Sequence, residues 1–270
     1  MLPNLPPDAA SVPSWRTVPN AGSAVVTGGG SGIGEAIALK LADAGYAVTI
    51  GDIGAAAADV AAKIIAGGGQ AQFVHTDVTD EDSVRGLMET AAATYGGLDV
   101  LVANAGIPEV KAAVHELDLA KWQRVIDVNL TGVALCNKWA VATILESRRQ
   151  GAELRTASVI NMASILAHVG QANSNAYSAA KAAVANFTRS AALTYAKEGI
   201  RFNAVSPGYV DTPLLGQLPE ETRAHMVARQ PIGRLLRPEE IANVVLFLAG
   251  DGSSAMTGSI VNVDGGYTAA

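Results

Sequence analysis

From Ser23 onward the chain alternates short, nearly continuous apolar runs with longer amphipathic or alanine-rich stretches. The runs Ala24 to Thr27, Ala47 to Asp52, Ala71 to His75, Leu98 to Ala103, Ser158 to Met162, Arg201 to Ser206 and Ser259 to Val263 have the length and composition of strands. Helix-length patterns fill the intervals between them. Strands without polar alternation must be buried on both faces, and helix-length connections let parallel neighbours follow one another by right-handed crossovers. The pattern therefore predicts a doubly wound α/β fold, with a seven-stranded parallel sheet and helices on both faces. In such sheets ligands bind beyond the carboxyl ends of the strands, so the residues just after each strand carry the functional information.

Residues 1 to 20 read differently. Pro3, Pro6, Pro7, Pro13 and Pro19 deny this stretch both helix and ladder hydrogen bonds, which marks it as a tail ahead of a single domain spanning 21 to 270. Trp15 within it either covers a neighbouring subunit or belongs to a dispensable extension. Composition agrees with one large folded domain: 49% of residues are hydrophobic and 16% charged, which excludes disorder and a coiled coil. A formal net charge of −6, with no Lys or Arg cluster, removes the electrostatic footprint of nucleic-acid or anionic-membrane binding and leaves small molecules as the expected partners. Cys136 is the single cysteine and sits in an apolar stretch, which predicts a buried, inert thiol in a reducing compartment. No uninterrupted apolar run approaches the ~18 residues of a membrane span, and the N-terminus lacks a basic start and an apolar signal core. A cytoplasmic location is expected.

After the first strand comes Thr27-Gly28-Gly29-Gly30-Ser31-Gly32-Ile33-Gly34, followed by an Ala/Leu-rich helix. Glycine lets backbone amides approach an anion, and the helix N-terminus adds unsatisfied N–H groups and partial positive charge. No Lys follows, which disfavours a P-loop, and the GxxxGxG spacing differs from GxGxxG. The second strand ends in Asp52, where a carboxylate can accept both hydrogen bonds of an adenosine ribose diol. That favours NAD, since a 2′-phosphate would meet a like charge and neither Ser31 nor Ile53 supplies a cation. Asp77, after the third strand, either accepts from the adenine amino group or caps the next helix.

Tyr177 and Lys181 stand four apart at the start of a strongly helical segment, so they share one face. An ammonium and an oxidised nicotinamide ring both favour the phenolate of a Tyr whose unperturbed pKa is ~10. Ser164, at the exit of the preceding strand, offers a hydroxyl to a substrate oxygen. In order along the chain, TGGGSGIG at 27 to 34, Asp77, Asn104-Ala105-Gly106, Asn129, Ser164, Tyr177-xxx-Lys181 and Pro207-Gly208 match the motifs of the short-chain dehydrogenase/reductase family. From about Ser23 to Tyr267 the chain resembles this family, most closely its NAD-preferring alcohol dehydrogenases.

The resemblance implies a Rossmann domain in which Tyr177 is the general acid/base, Lys181 lowers its pKa and binds the nicotinamide ribose, and Ser164 holds the carbonyl or alkoxide oxygen. Asn129 would interrupt its helix and position a proton-relaying water. Cofactor contacts would come from Gly28, Ser31, Gly32, Ile33, Gly34, Asp52, Asp77, Val78, Asn104, Ala105, Gly106, Tyr177, Lys181, Pro207, Gly208, Val210 and Thr212. The family often carries a second Asn where this chain has Ala103, which weakens a strand-bracing role for that motif.

Leu166, Gln171, Tyr209 and Leu214 are the expected substrate contacts, in a mostly apolar pocket that favours a neutral secondary alcohol or cyclic ketone. His168 is expected to face solvent. The other histidines are scattered without ligand spacing, so no catalytic metal is expected. Residues 212 to 232 read as a lid over the substrate. The apolar helices at 118 to 146 and 175 to 197 need cover, and the resemblance implies a homotetramer completed by Asp264-Gly265-Gly266-Tyr267. Two other functions stay open: a 3-oxoacyl-thioester reductase, against which Asp52 argues, and a dinucleotide-sensing protein without chemistry, which would not need Ser164, Tyr177, Lys181 and Asn129.

Overall fold

A computed structural model describes residues 22–151 and 156–269. The proline-rich tail and Trp15 lie outside the described residues. Seven strands, β1 (Gly22–Thr27), β2 (Tyr46–Asp52), β3 (Ala71–His75), β4 (Val100–Ala103), β5 (Ala157–Met162), β6 (Ile200–Pro207) and β7 (Ile260–Val263), form one sheet in the order β3-β2-β1-β4-β5-β6-β7. Every adjacent pair is parallel. This is the doubly wound sheet that the apolar runs predict, and the order reverses between β1 and β4, which opens a crevice at their carboxyl ends. β4 begins at Val100 rather than at Leu98, and just before it the Asp99 carboxylate accepts from the Ser23 N–H at 2.8 Å.

The intervening helices are α1 (Gly32–Asp43), α2 (Ala56–Ala66), α3 (Glu81–Tyr95), α4 (Leu119–Ile126), α5 (Gly132–Arg149), α6 (Ala176–Tyr195), α7 (Pro213–Gly216), α8 (Glu220–Ala228) and α9 (Pro238–Ala249). Successive strand residues point to opposite faces, and the core divides accordingly. Val26, Val102 and Ile160 pack with Ile37, Leu41, Val60, Ile64 and Val245 of α1, α2 and α9. Val25, Leu101 and Val159 pack with Leu87, Met88, Ile144 and Val184 of α3, α5 and α6. Each such side chain removed from water contributes roughly 1.5–3 kcal/mol before entropy is counted. Cys136 lies in the second layer, and burial pushes its thiol up to about 12, so it is an inert core residue.

The helix expected at 118 to 146 is interrupted. Between α4 and α5 one wide, π-helical turn runs from Asp127 to Thr131 and holds Asn129, which is fully buried. By length and composition the joined helix Leu119–Arg149 could cross a membrane, yet half of its apolar window is buried inside the domain, as in the core helix of a folded α/β protein. A buried polar chain ties α5, β5 and α6 together. Asn137 Nδ2 donates to Asn161 Oδ1 at 2.8 Å, and Asn161 Nδ2 donates to Thr188 Oγ1 at 3.0 Å. With every partner satisfied, this network holds in one register the helix that follows Asn129, the strand that leads into Ser164 and the helix that carries Tyr177.

Candidate active site

At the crevice, β1 runs into a turn that tolerates no side chain. Gly28 has φ +65°, and a Cβ there would lie 2.7 Å from the Ala105 backbone; one on Gly34 would lie 2.0 Å from the Gly28 carbonyl oxygen. Ser31 flanks α1 in extended conformation and makes no side-chain capping bond, so the first-turn N–H groups remain uncapped by it. Asp52, at the end of β2, accepts from Gly30 N–H at 2.9 Å through one oxygen and from Gly54 N–H at 2.8 Å through the other. Both oxygens are thus aimed and each keeps acceptor capacity. A helix N-terminus, a glycine turn and an oriented carboxylate fit the pyrophosphate and ribose of a dinucleotide.

Asn104 was expected to be weakened as a brace by Ala103. Instead, its Nδ2 donates to the carbonyls of Thr27 and Gly28, both at 3.0 Å. The Thr27 hydroxyl accepts in return from the N–H groups of Asn104 and Ala105. One amide and one hydroxyl across β1 and β4 complete the brace, so a second Asn is not needed. Asp77 does not cap α3. Asp80 does, while Asp77 Oδ1 accepts from the N–H and hydroxyl of Thr79, and these bonds hold its carboxyl below the usual range. Val78 beside it is buried, and Ile33 packs on the first core layer. On the far side, Pro207 ends β6, Gly208 N–H donates to Val263, and Val210 pairs with Leu236. Thr212 comes back to the glycine turn, its methyl 3.2 Å from where a Cβ of Gly32 would stand.

Ser164 leaves β5 and starts a single turn, Ile165–Ala167, its hydroxyl accepting from Leu166 N–H at 3.2 Å. The phenol of Tyr177 lies near the same hydroxyl, which acts to lower its pKa. One helical turn on, Lys181 is 3% exposed; its ammonium donates to the Met162 carbonyl at 2.7 Å and stands 5.5 Å from the Tyr177 ring centre. Burial pushes Lys181 down to about 8, which leaves it mostly protonated at neutral pH. In the chain by itself burial raises the Tyr177 pKa, the Ser164 hydroxyl opposes this, and the charge of Glu109 raises it further. Desolvation of the phenolate outweighs the help from its neighbours in the chain itself; the Lys181 ammonium gives one N–H to the Met162 carbonyl and keeps two for other partners. Asn129 bonds Ile107 reciprocally, accepting from its N–H and donating to its C=O, both at 2.8 Å.

Glu109 escaped the sequence reading. One of its oxygens accepts from the N–H groups of Ala176 and Tyr177 at 2.9 and 3.2 Å, and the other accepts from the Ser174 hydroxyl. It caps α6 from a loop after β4, while Asn175, the residue that looks like the cap, donates instead to Ala112. Nothing local to the sequence signals this. Gln230 was missed too: it is buried, accepts from Tyr209 N–H at 2.7 Å and donates to Arg234 C=O at 2.7 Å, which pins the end of the 212 to 232 segment.

Of the expected substrate contacts the structure gathers three. Gln171 Nε2 donates to the Tyr209 hydroxyl at 3.0 Å, and Tyr209 and Tyr177 both pack against Ile165, Leu166 and Tyr267. Leu214, on α7, is 52% exposed and stands outside this cluster. Tyr267, expected at an assembly surface, is buried in the wall of its own chain's site. His168 is exposed, as expected, but its ring also meets the Ser206 hydroxyl at 3.1 Å. Among the described residues, no three His, Cys, Asp or Glu side chains are placed to hold a metal ion.

Known proteins agree with this geometry. The profile of the family described as enoyl-(acyl carrier protein) reductase matches residues 28–268. The chain is 59% identical to cis-4-hydroxycyclohexanecarboxylate dehydrogenase of Sinomonas cyclohexanicum, over 91% of this chain and 96% of that one. It is 42% identical to cyclohexanol dehydrogenase of Acinetobacter sp. strain SE19, over 91% and 94%. A short-chain type dehydrogenase/reductase from Mycobacterium marinum superimposes with a TM-score of 0.85 at 37% identity, covering 92% of this chain and 96% of that one. Sheet order, glycine turn, the Ser164, Tyr177 and Lys181 cluster and these relatives lead to one conclusion: the chain belongs to the short-chain dehydrogenase/reductase family of oxidoreductases.

Proposed function

We propose that this enzyme is an NAD-dependent dehydrogenase that interconverts an alicyclic secondary alcohol of the cyclohexanol type and its ketone. The carrying observation is the neighbouring hydroxyls of Ser164 and Tyr177, backed by buried Lys181, at the mouth of a crevice whose ribose end carries Asp52. The similarity to two cyclohexanol-type dehydrogenases supports the ring. Asp52, held by two backbone N–H groups and without a cation partner among the described residues, supports NAD over NADP.

When bound, the dinucleotide supplies the hydride acceptor or donor at its nicotinamide ring. Ser164 Oγ donates a hydrogen bond to the substrate oxygen and fixes it beside Tyr177 Oη. In the direction of oxidation, Tyr177 Oη takes the alcohol proton; in reduction it returns one. Positioned acid/base transfer of this kind contributes about 10²–10⁴ in rate. Lys181 binds the ribose hydroxyls and stabilises the phenolate, and Asn129, in the wide turn, positions a water that passes the proton outward. Val210 and Thr212, beside the glycine turn, orient the nicotinamide carboxamide. The 212 to 232 segment closes over the substrate.

The same reading takes the protein as a cytoplasmic homotetramer. Leu119 on α4 and Leu193 on α6 are 74% and 85% exposed, which supports the expected helix pairing, and light scattering would measure the assembly. The function is tested by following NADH absorbance when purified protein meets NAD or NADP with a panel of cyclic, linear, aryl and polyol secondary alcohols. Fastest turnover with NAD and a cyclohexanol is expected. Turnover confined to NADP or to linear thioesters would overturn the reading.

A further inference from the structure

Three polar residues, Tyr209, Tyr267 and Arg229, lie together at the aromatic cluster of the substrate wall, and the proposed mechanism uses none of them. Tyr267 is 7% exposed, and its hydroxyl has no hydrogen-bond partner. A donor buried in that way costs stability unless something arrives to accept from it. Tyr209 stands edge-on to it, with ring centres 5.7 Å apart at 85°. Its hydroxyl accepts from Gln171, which leaves its own proton to give. Burial and the Tyr267 hydroxyl raise the Tyr209 pKa, so this phenol stays a donor at neutral pH, while the charge of Arg229 acts in the opposite sense. The two hydroxyls lie near each other without closing a hydrogen bond.

Above the Tyr267 ring, 5.0 Å from its centre, sits the Arg229 guanidinium. Arg229 follows α8 directly and precedes buried Gln230, so the pinned end of the lid segment places it. Among the described residues no carboxylate lies within ion-pair distance of it, whereas Arg223, Arg234 and Arg237 of the same region each have one. An Arg without an ion-pair partner, stacked on one phenol and within electrostatic reach of the other, is a set of donors without an acceptor, and the group that satisfies all three is a carboxylate.

We infer that Tyr209, Tyr267 and Arg229 form an anion subsite that takes a carboxylate carried on the ring of the substrate. The inference rests on the proposed function and narrows it, from a neutral cyclic alcohol to a hydroxylated alicyclic acid. Ile165, Leu166 and Tyr267 form one apolar cluster, and Tyr177 and Tyr209 both pack against it. A six-membered ring lying on that cluster presents its hydroxyl to Tyr177 and its opposite substituent to the donors. The relative from Sinomonas cyclohexanicum is named for such an acid.

The test compares kcat/KM with NAD for cis-4-hydroxycyclohexanecarboxylate and for 4-methylcyclohexanol, which replaces the carboxylate by a methyl. Wild-type protein is expected to prefer the acid. Arg229→Met, which keeps the stem over Tyr267, and Tyr267→Phe, which removes only the hydroxyl, should each cut the acid-to-neutral ratio by about tenfold or more, through KM. Arg229→Lys should restore part of it. Tyr267→Phe should also leave the melting temperature unchanged or raised, because the lost hydroxyl bonds nothing in the chain; a drop would assign it a structural role and count against the subsite. A wild-type enzyme that turns over both compounds alike, or an Arg229→Met ratio equal to wild type, overturns the subsite and leaves the alcohol dehydrogenase standing. No turnover of either compound with NAD or NADP overturns the function, and the subsite with it.

Discussion

The two halves of the crevice are built from different materials. On the dinucleotide side, recognition comes from backbone and short polar side chains whose bonds are already made: Thr27, Asn104 and Asp52 hold the glycine turn closed before any ligand arrives. On the substrate side the wall is aromatic and apolar, assembled from Leu166, Tyr209 and Tyr267, with one hydroxyl unpartnered and Leu214 half in solvent. The difference teaches where rigidity is spent. A ligand part that never varies can be met by a preformed backbone, whereas a variable substrate is met by side chains drawn from distant segments that can change without disturbing the turn.

The contrast breaks most sharply at Tyr177, where the two halves meet. Tyr177→Phe is expected to lower kcat by about 10²–10⁴ while NADH binding, followed by fluorescence, is retained; full turnover would remove Tyr177 from acid/base work. Gly34→Ala attacks the preformed half alone. Its Cβ would enter the Gly28 carbonyl, so both melting temperature and NADH affinity should fall, the stability loss amounting to about 1–3 kcal/mol. An unaltered affinity would show that the turn is not the pyrophosphate cradle. Asp52→Ala sharpens the same half more gently. The fold stays, and the preference for NAD over NADP should narrow by about tenfold or more; an unchanged ratio would detach Asp52 from the ribose.

On the substrate half, Gln230→Ala should free the 212 to 232 segment from Tyr209 and Arg234, raising KM for the alcohol and speeding proteolysis between α7 and α9. Equal proteolysis rates would mean that the segment is held elsewhere. The smallest effect is expected at Glu109. Its negative charge raises the Tyr177 pKa, so Glu109→Gln, which keeps the cap but removes the charge, should move the rising limb of alcohol oxidation to lower pH. The groups around Tyr177 that share this titration are Lys181 on the same helix and Ser164 from the β5 exit, and neither changes in that variant. A limb moving upward in pH would contradict the sign.

What the sequence by itself determined is local or periodic. Seven apolar runs at helix-length spacing gave the sheet, five glycines before an alanine-rich stretch gave the turn, and Tyr177 and Lys181, four apart, shared one helix face. Each of these follows from the repeat of strand or helix and from glycine's missing side chain, which neighbouring residues reveal. The 212 to 232 segment lies between Val210 and Leu236, whose backbones pair.

Only the tertiary structure decided the rest. Glu109 reaches Tyr177 across 68 positions, Gln230 reaches Tyr209 across 21, and Tyr267 enters the substrate wall from the far end of the chain. The phenol's raised pKa likewise depends on how much water packing removes around it, a sum over several elements. No periodicity announces such contacts, because a carboxylate, an amide or a phenol carries no local preference that distinguishes a cap, a pin or a wall from an ordinary surface residue. Closing the loops between them costs chain entropy, which burial of the surrounding core offsets, so their partners are settled only when the whole sheet and both its layers have formed.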